Sequence, residues 1–186
     1  MFKLIPCKPI IVTVFFAATL NGCASQEQVA PAKVEISKEA RLLYKGNSAA
    51  MMSTIGITGI AIGVAIDEGI AKELEEGLIS TGENSQTLLL TCMKQESLTK
   101  SKTNISRVTI ESYAIVPRDN GFFATISGSL NQNGQDKTFK HGQRALGETA
   151  NLNQLKTNPM ITKSLMLTTC KDFWGNIAKN EYNIQN

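Results

Sequence analysis

Eighteen consecutive residues from Ala49 to Ile66, AAMMSTIGITGIAIGVAI, carry no charge, and they constrain the fold more than any other stretch. Gly56, Gly59 and Gly63 recur in a GxxGxxxG pattern, and Ala61, Ala65 and Gly69 follow at a spacing of four. A glycine inside a water-exposed helix costs about 1 kcal/mol relative to alanine, so a run of them implies a compensating contact. Small residues every four positions let a second helix or a membrane component approach the backbone closely. Three placements satisfy the pattern: a helix or hairpin entering or touching a membrane, a close helix–helix or oligomer contact, and burial in the domain's own core. Eighteen residues only reach the lower end of the roughly 17–25 needed to span a bilayer, which argues against a full crossing.

Helical periodicity continues past this run. Ile66, Ile70, Leu74 and Leu78 repeat at i, i+4, while Asp67, Glu68, Glu73, Glu75 and Glu76 make an acidic outer face, so an amphipathic helix is expected. Ser80–Asn84 has turn chemistry. From Gln86 the period changes, and Thr87–Met93 reads as a buried strand. Arg107–Val116 is strand-like, with Val108 and Ile110 on one face and Tyr113 and Ile115 on it after a shift of phase. Pro117–Gly121 signals a hairpin, and Phe122 to Asn131 alternates apolar with polar residues. Asn133-Gly134 marks a second turn into a short strand around residues 137–140. Residues 142–157 read as irregular with at most one helical turn. Asn158-Pro159 then opens a helix whose Ile161, Met166, Cys170, Phe173, Trp174 and Ile177 lie mostly on one face. Val34–Tyr44 fits a short strand or a helical turn equally. The expected fold is α+β in two layers, a mainly antiparallel three- or four-stranded sheet packed by two helices.

The N-terminus has a different character. Lys3 and Lys8 precede an uncharged, mainly apolar segment from Ile10 to Leu20, too short for a stable membrane span, and Leu20-Asn21-Gly22-Cys23 follows. This resembles the lipobox of bacterial lipoproteins, with an aliphatic residue three before the cysteine and a small one immediately before it. Asn21 departs from the usual Ala, Ser or Thr. The resemblance implies cleavage between Gly22 and Cys23 and acylation of Cys23, giving a signal peptide over 1–22, a lipid-anchored tether over 23–33 and a periplasmic domain over 34–186. With Ala24-Ser25 after the cysteine, it also favours the periplasmic face of the outer membrane over the inner membrane. The glycine pattern of 49–66 is similar to the glycine-zipper segments of proteobacterial envelope lipoproteins. The order of elements over roughly 65–180 is similar to auxiliary lipoproteins of envelope transport systems, but no functional residue carries over.

Export bears on the remaining cysteines. Cys7 would leave with the signal and Cys23 would be acylated, so Cys92 and Cys170 form a disulfide most simply, the alternative being two buried thiols. Loss of Lys3 and Lys8 also lowers the basic count from 19 to 17 against 16 acidic residues. That near-neutral balance, without a run of like charge, gives no footprint for nucleic acid. His141 is the sole histidine, expected in a solvated loop, so no Ser-His-Asp triad or multi-histidine metal site has support. The glycines lack the Lys-Ser/Thr sequel of a phosphate loop. No enzyme, cofactor or metal is expected. The expected function is a non-enzymatic accessory lipoprotein docking to an envelope complex. The alternatives are a component that self-associates through residues 49–66, and a carrier of lipid or another apolar ligand.

Overall fold

A computed structural model describes residues 30–99, 104–119, 121–142 and 150–178. The elements run β1 (Lys33–Ile36), β2 (Leu42–Tyr44), α1 (Ser48–Met52), a 3-10 turn (Ser53–Ile55), α2 (Ile57–Ser80), α3 (Ser85–Thr99), β3 (Ile105–Arg118), β4 (Gly121–Gln132), β5 (Gln135–Gly142), α4 (Leu152–Thr157) and α5 (Pro159–Ala178). The lipobox and signal segment lie outside the described residues. The class is α+β.

The sheet differs from expectation in size and direction. It has five strands and is mixed: β3, β4 and β5 form an antiparallel meander, while β1 and β2 both pair parallel with β3 along one edge. Val34–Tyr44, open in the sequence, supplies those two strands. Parallel strands need a long crossover, and α1, α2 and α3 provide it between β2 and β3. The edge breaks between β1 and β2 where β3 itself is irregular. Its register against β4 shifts between Ile110 and Ser112, the bulge behind the phase shift in the sequence, and Ser37 donates its N–H to the Ile110 carbonyl at 2.8 Å as the edge chain turns away. Opposite the bulge, Gly128 admits the β3 backbone so closely that a Cβ there would fall 1.9 Å from the Thr109 carbonyl oxygen. The β4–β5 turn places Asn133 and Gly134 both at positive φ, +54° and +79°, as a two-residue hairpin with right-handed strand twist requires.

Among the described residues, three long helices, rather than two, cover the sheet. The segment 87–93 is not a strand but part of α3. Its buried residues Ser85, Leu89, Cys92, Met93 and Ser97 recur at helical spacing, and Asn84 caps it by accepting the Thr87 N–H at 2.7 Å. A short apolar run fits a buried strand or a buried helix equally by pattern, and leucine-rich content favours the helix. Residues 152–157 form α4, closed by a reciprocal capping box between Asn151 and Gln154. The core joins Leu74, Leu78, Leu89 and Met93 to Val108, Ile110, Ile126, Leu165, Phe173 and Trp174. The sulfurs of Cys92 and Cys170 stand 2.14 Å apart, disulfide distance, tying α3 to α5 across 78 residues of sequence. His141 is buried in β5 with its ring edge-on to Phe173 at 5.8 Å, not in a solvated loop: the strand extends further than expected, and His141 falls on its inner face.

Candidate functional site

The uncharged run folds as a helical hairpin that stands off the domain. Gly56, with φ +81° and open space around its missing Cβ, makes the corner and packs against no helix. From there α2 starts, and α1 folds back along it. Gly59 and Gly63 line that contact: a Cβ on Gly59 would fall 1.9 Å from the Met52 carbonyl oxygen, and one on Gly63 would fall 2.4 Å from the Ala49 backbone. The close contact expected of the small residues is therefore made at Gly59 and Gly63 by the chain's own α1. Gly59 and Gly63 are buried as a result, although the apolar residues beside them are not.

Those residues face outward. Ile57 is 87% exposed, Met51 74% and Ile55 64%, and Ile60, Ile62, Val64 and Ile66 each expose more than 40% of their surface. Burial of 49–66 in the domain's own core is thereby ruled out. Ile66 also leaves the stripe expected for the amphipathic helix; Ile70, Leu74 and Leu78 go into the core, and Ile66 belongs to the projection. Along α2, Ile57, Ile60 and Val64 follow at spacings of three and four on one side. Ile62 and Ile66, four apart, lie on the roughly opposite side. No charged residue falls between Lys45 and Asp67. The hairpin is thus uncharged around its circumference, with Asn47, Ser53, Thr54 and Thr58 exposed among the apolar residues. Apolar side chains exposed on opposite sides suit a core or a lipid phase better than one docking face. Among the described residues, no helix is long and apolar enough to cross a membrane.

At the hairpin's base, a cleft of about 740 Å³ opens between the edge strand and α2. Its α2 wall is Val64, Asp67, Glu68, Ala71, Lys72 and Glu75, one face at spacings of three and four; the opposite wall runs from Ala40 to Gly46, and Ser85 and Tyr113 reach in from below. Two ion pairs occupy its rim: Arg41 donates to Glu68 at 3.0 Å, and Lys72 lies 3.8 Å from Glu76. Deeper in, Glu75 accepts the Ser85 N–H at 3.0 Å through one oxygen, and the Ser85 and Tyr113 hydroxyls share a 3.0 Å hydrogen bond. The Oδ1 of Asp67 and Oε2 of Glu75 are shut from solvent and accept no hydrogen bond. Burial raises the Tyr44 phenol above its ordinary range, with the Asp67 charge adding to it. Burial likewise raises Tyr113, the Ser85 hydrogen bond opposes the rise, and Glu75 adds to it. Helical pattern alone puts Asp67 and Glu75 on a wet helix face; the edge strand opposite them lies in Val34–Tyr44, whose pattern fits strand and helix equally.

Among the described residues there is no cluster of His, Cys, Asp and Glu that could hold a metal ion. No protein family, curated protein or solved structure matches the chain.

Proposed function

We propose that this is a lipid-anchored envelope protein of non-catalytic kind, whose hairpin 46–66 enters one leaflet of the membrane and holds the α+β domain at its surface. The observation that carries the reading is the outward exposure of Met51, Ile55, Ile57, Ile60, Ile62, Val64 and Ile66 on opposite sides of the projection. Withdrawing seven such side chains from water is worth on the order of 10 kcal/mol, before ordering costs. The ten residues Ile57–Ile66 rise about 15 Å as a helix, half of a roughly 30 Å hydrocarbon core, which fits a single leaflet. Pairing with α1 gives the short α2 projection a helical neighbour inside lipid, and the two helices satisfy their own backbone groups except at the Gly56 corner, where the first turn of α2 has no side-chain cap.

The lipobox-like Leu20–Cys23 supports the same placement from the other end of the tether. Lys33 pairs with Arg107 and Tyr44 with Ile115, so the tether enters at one end of β3 and the hairpin leaves near the other. Eight strand residues span about 27 Å. The ten-residue step from Cys23 to Lys33 can extend about 35 Å, enough for both anchors to share one leaflet. An accessory role beside an envelope complex is compatible with this geometry, the domain being free to meet a partner while two anchors hold it.

Flotation tests the reading. A chain beginning at Ala24, lacking both signal and lipid, is expected to float with phospholipid vesicles, and Ile57→Asn with Ile60→Asn and Ile62→Asn is expected to remain in the aqueous fraction. Equal flotation of the two chains would remove the hairpin from the account.

A further inference from the structure

We infer that the cleft at the hairpin's base is a binding site for the zwitterionic head group of an aminophospholipid, its ammonium on Asp67 and its phosphate at Lys45. This rests on the hairpin entering a leaflet. Lys45 and Asp67 are the first charged residues on either side of the uncharged run, and both line the cleft. With the apolar stretch between them in hydrocarbon, they stand at the depth of the lipid head groups. A lipid beside the hairpin would then present its head group to the cleft without leaving the membrane.

The lining selects the chemistry. Arg41, Lys45 and Lys72 balance Asp67, Glu68 and Glu75, which suits a head group carrying both signs better than a purely anionic or cationic one. Arg41 and Lys72 already face Glu68 and Glu76 on the rim, which leaves Lys45 as the cation for the phosphate. Asp67 and Glu75 are the lining carboxylates outside the Arg41–Glu68 pair; Glu75 already accepts the Ser85 N–H, which leaves Asp67 as the carboxylate for an ammonium. A primary ammonium brings three N–H donors, whereas a quaternary choline brings none. Ala71, between the two carboxylates on the same face, keeps the floor of the cleft low. Gly46 seats the Asp67 carboxylate: a Cβ there would fall 2.7 Å from Oδ1.

Photocrosslinking of the full protein in nanodiscs tests this. Discs contain phosphatidylcholine with either phosphatidylethanolamine or phosphatidylcholine photolabelled near the head group, and a parallel set carries an acyl-chain photolabel. The ethanolamine probe is expected to label residues 40–46 and 64–75 at least tenfold more than the choline probe. Asp67→Asn is expected to reduce that labelling to the choline level, and Ala71→Leu, which fills the cleft without touching a charge, is expected to do the same. The acyl probe should label residues 57–66 in all three proteins. Equal labelling of the cleft by both head-group probes overturns the inference, as does full ethanolamine labelling in both variants. Failure of the acyl probe to label 57–66 instead overturns the membrane reading on which it rests.

Discussion

A Cβ built on Gly63 would fall 2.4 Å from the Cα of Ala49, so α1 can lie along α2 only because residue 63 has no side chain. This contact turns a glycine-rich run into a self-paired hairpin and leaves its isoleucines on the outside. Gly63→Leu is therefore expected to pry α1 away. Limited proteolysis should show cleavage between residues 46 and 56 increasing at least tenfold, while the domain's thermal midpoint stays unchanged because the contact lies outside the core. A large drop in the midpoint would mean that the hairpin is part of the folding unit.

The lipid anchor is tested at Cys23. Cys23→Ser is expected to abolish incorporation of labelled palmitate and to leave the precursor uncleaved by the peptidase that acts on acylated precursors. Mass spectrometry of the wild-type protein should give a mature N-terminus at residue 23 carrying acyl groups. A mature N-terminus elsewhere would replace the lipobox reading with an ordinary export signal.

The link between α3 and α5 closes a loop of 78 residues in sequence separation. On the chain-entropy account, such a crosslink restricts the unfolded state by roughly 4–5 kcal/mol. Cys92→Ala with Cys170→Ala is expected to lower the denaturant midpoint accordingly, with a reductant producing a similar shift in the wild type and none in the variant. Insensitivity of the wild type to reductant would show that the thiols are unlinked in solution.

The sequence was legible where one periodicity admitted one structure. The alternation from Phe122 to Asn131 gave β4 and the Asn133-Gly134 pair gave its turn, while the phase shift between Ile110 and Tyr113 is explained only by the register shift of β3 against β4. It failed at Thr87–Met93, where consecutive apolar residues hide the helical spacing of Leu89, Cys92 and Met93; the Asn84 cap was the local signal available. The parallel edge was not legible because pairing of β1 and β2 with β3 joins residues some seventy positions apart, about which local pattern is silent. The cleft depended on that edge. In the glycine run the small residues announced a close contact correctly, but spacing alone cannot tell a partner's helix from the chain's own α1.

Tyr113 gives a pH signature. Its phenol is pushed above the ordinary value of 10.0 chiefly by burial. A raised folded-state pKa means that the neutral form is favoured by folding. Its contribution is fully present below pH 10 and is lost as pH rises from there through the folded value. The wild type is therefore expected to lose stability above pH 10 more steeply than Tyr113→Phe, measured as denaturant midpoint against pH. Ultraviolet titration should show a tyrosine ionising later than free phenol. Parallel pH profiles for the two proteins would contradict the buried, neutral assignment.

Depth of the hairpin in lipid tests the central claim most directly. A fluorophore placed singly at Ile57, Ile62 or Ile79 in the membrane-bound protein can be quenched by nitroxides at known depths in the acyl chain. Ile79 is the internal control, an exposed apolar residue at the far end of α2. Ile57 is expected to be quenched most by the deepest nitroxides, Ile62 by shallower ones, and Ile79 only by an aqueous quencher. Aqueous quenching at all three positions, with no dependence on nitroxide depth, would show that the hairpin remains outside the bilayer.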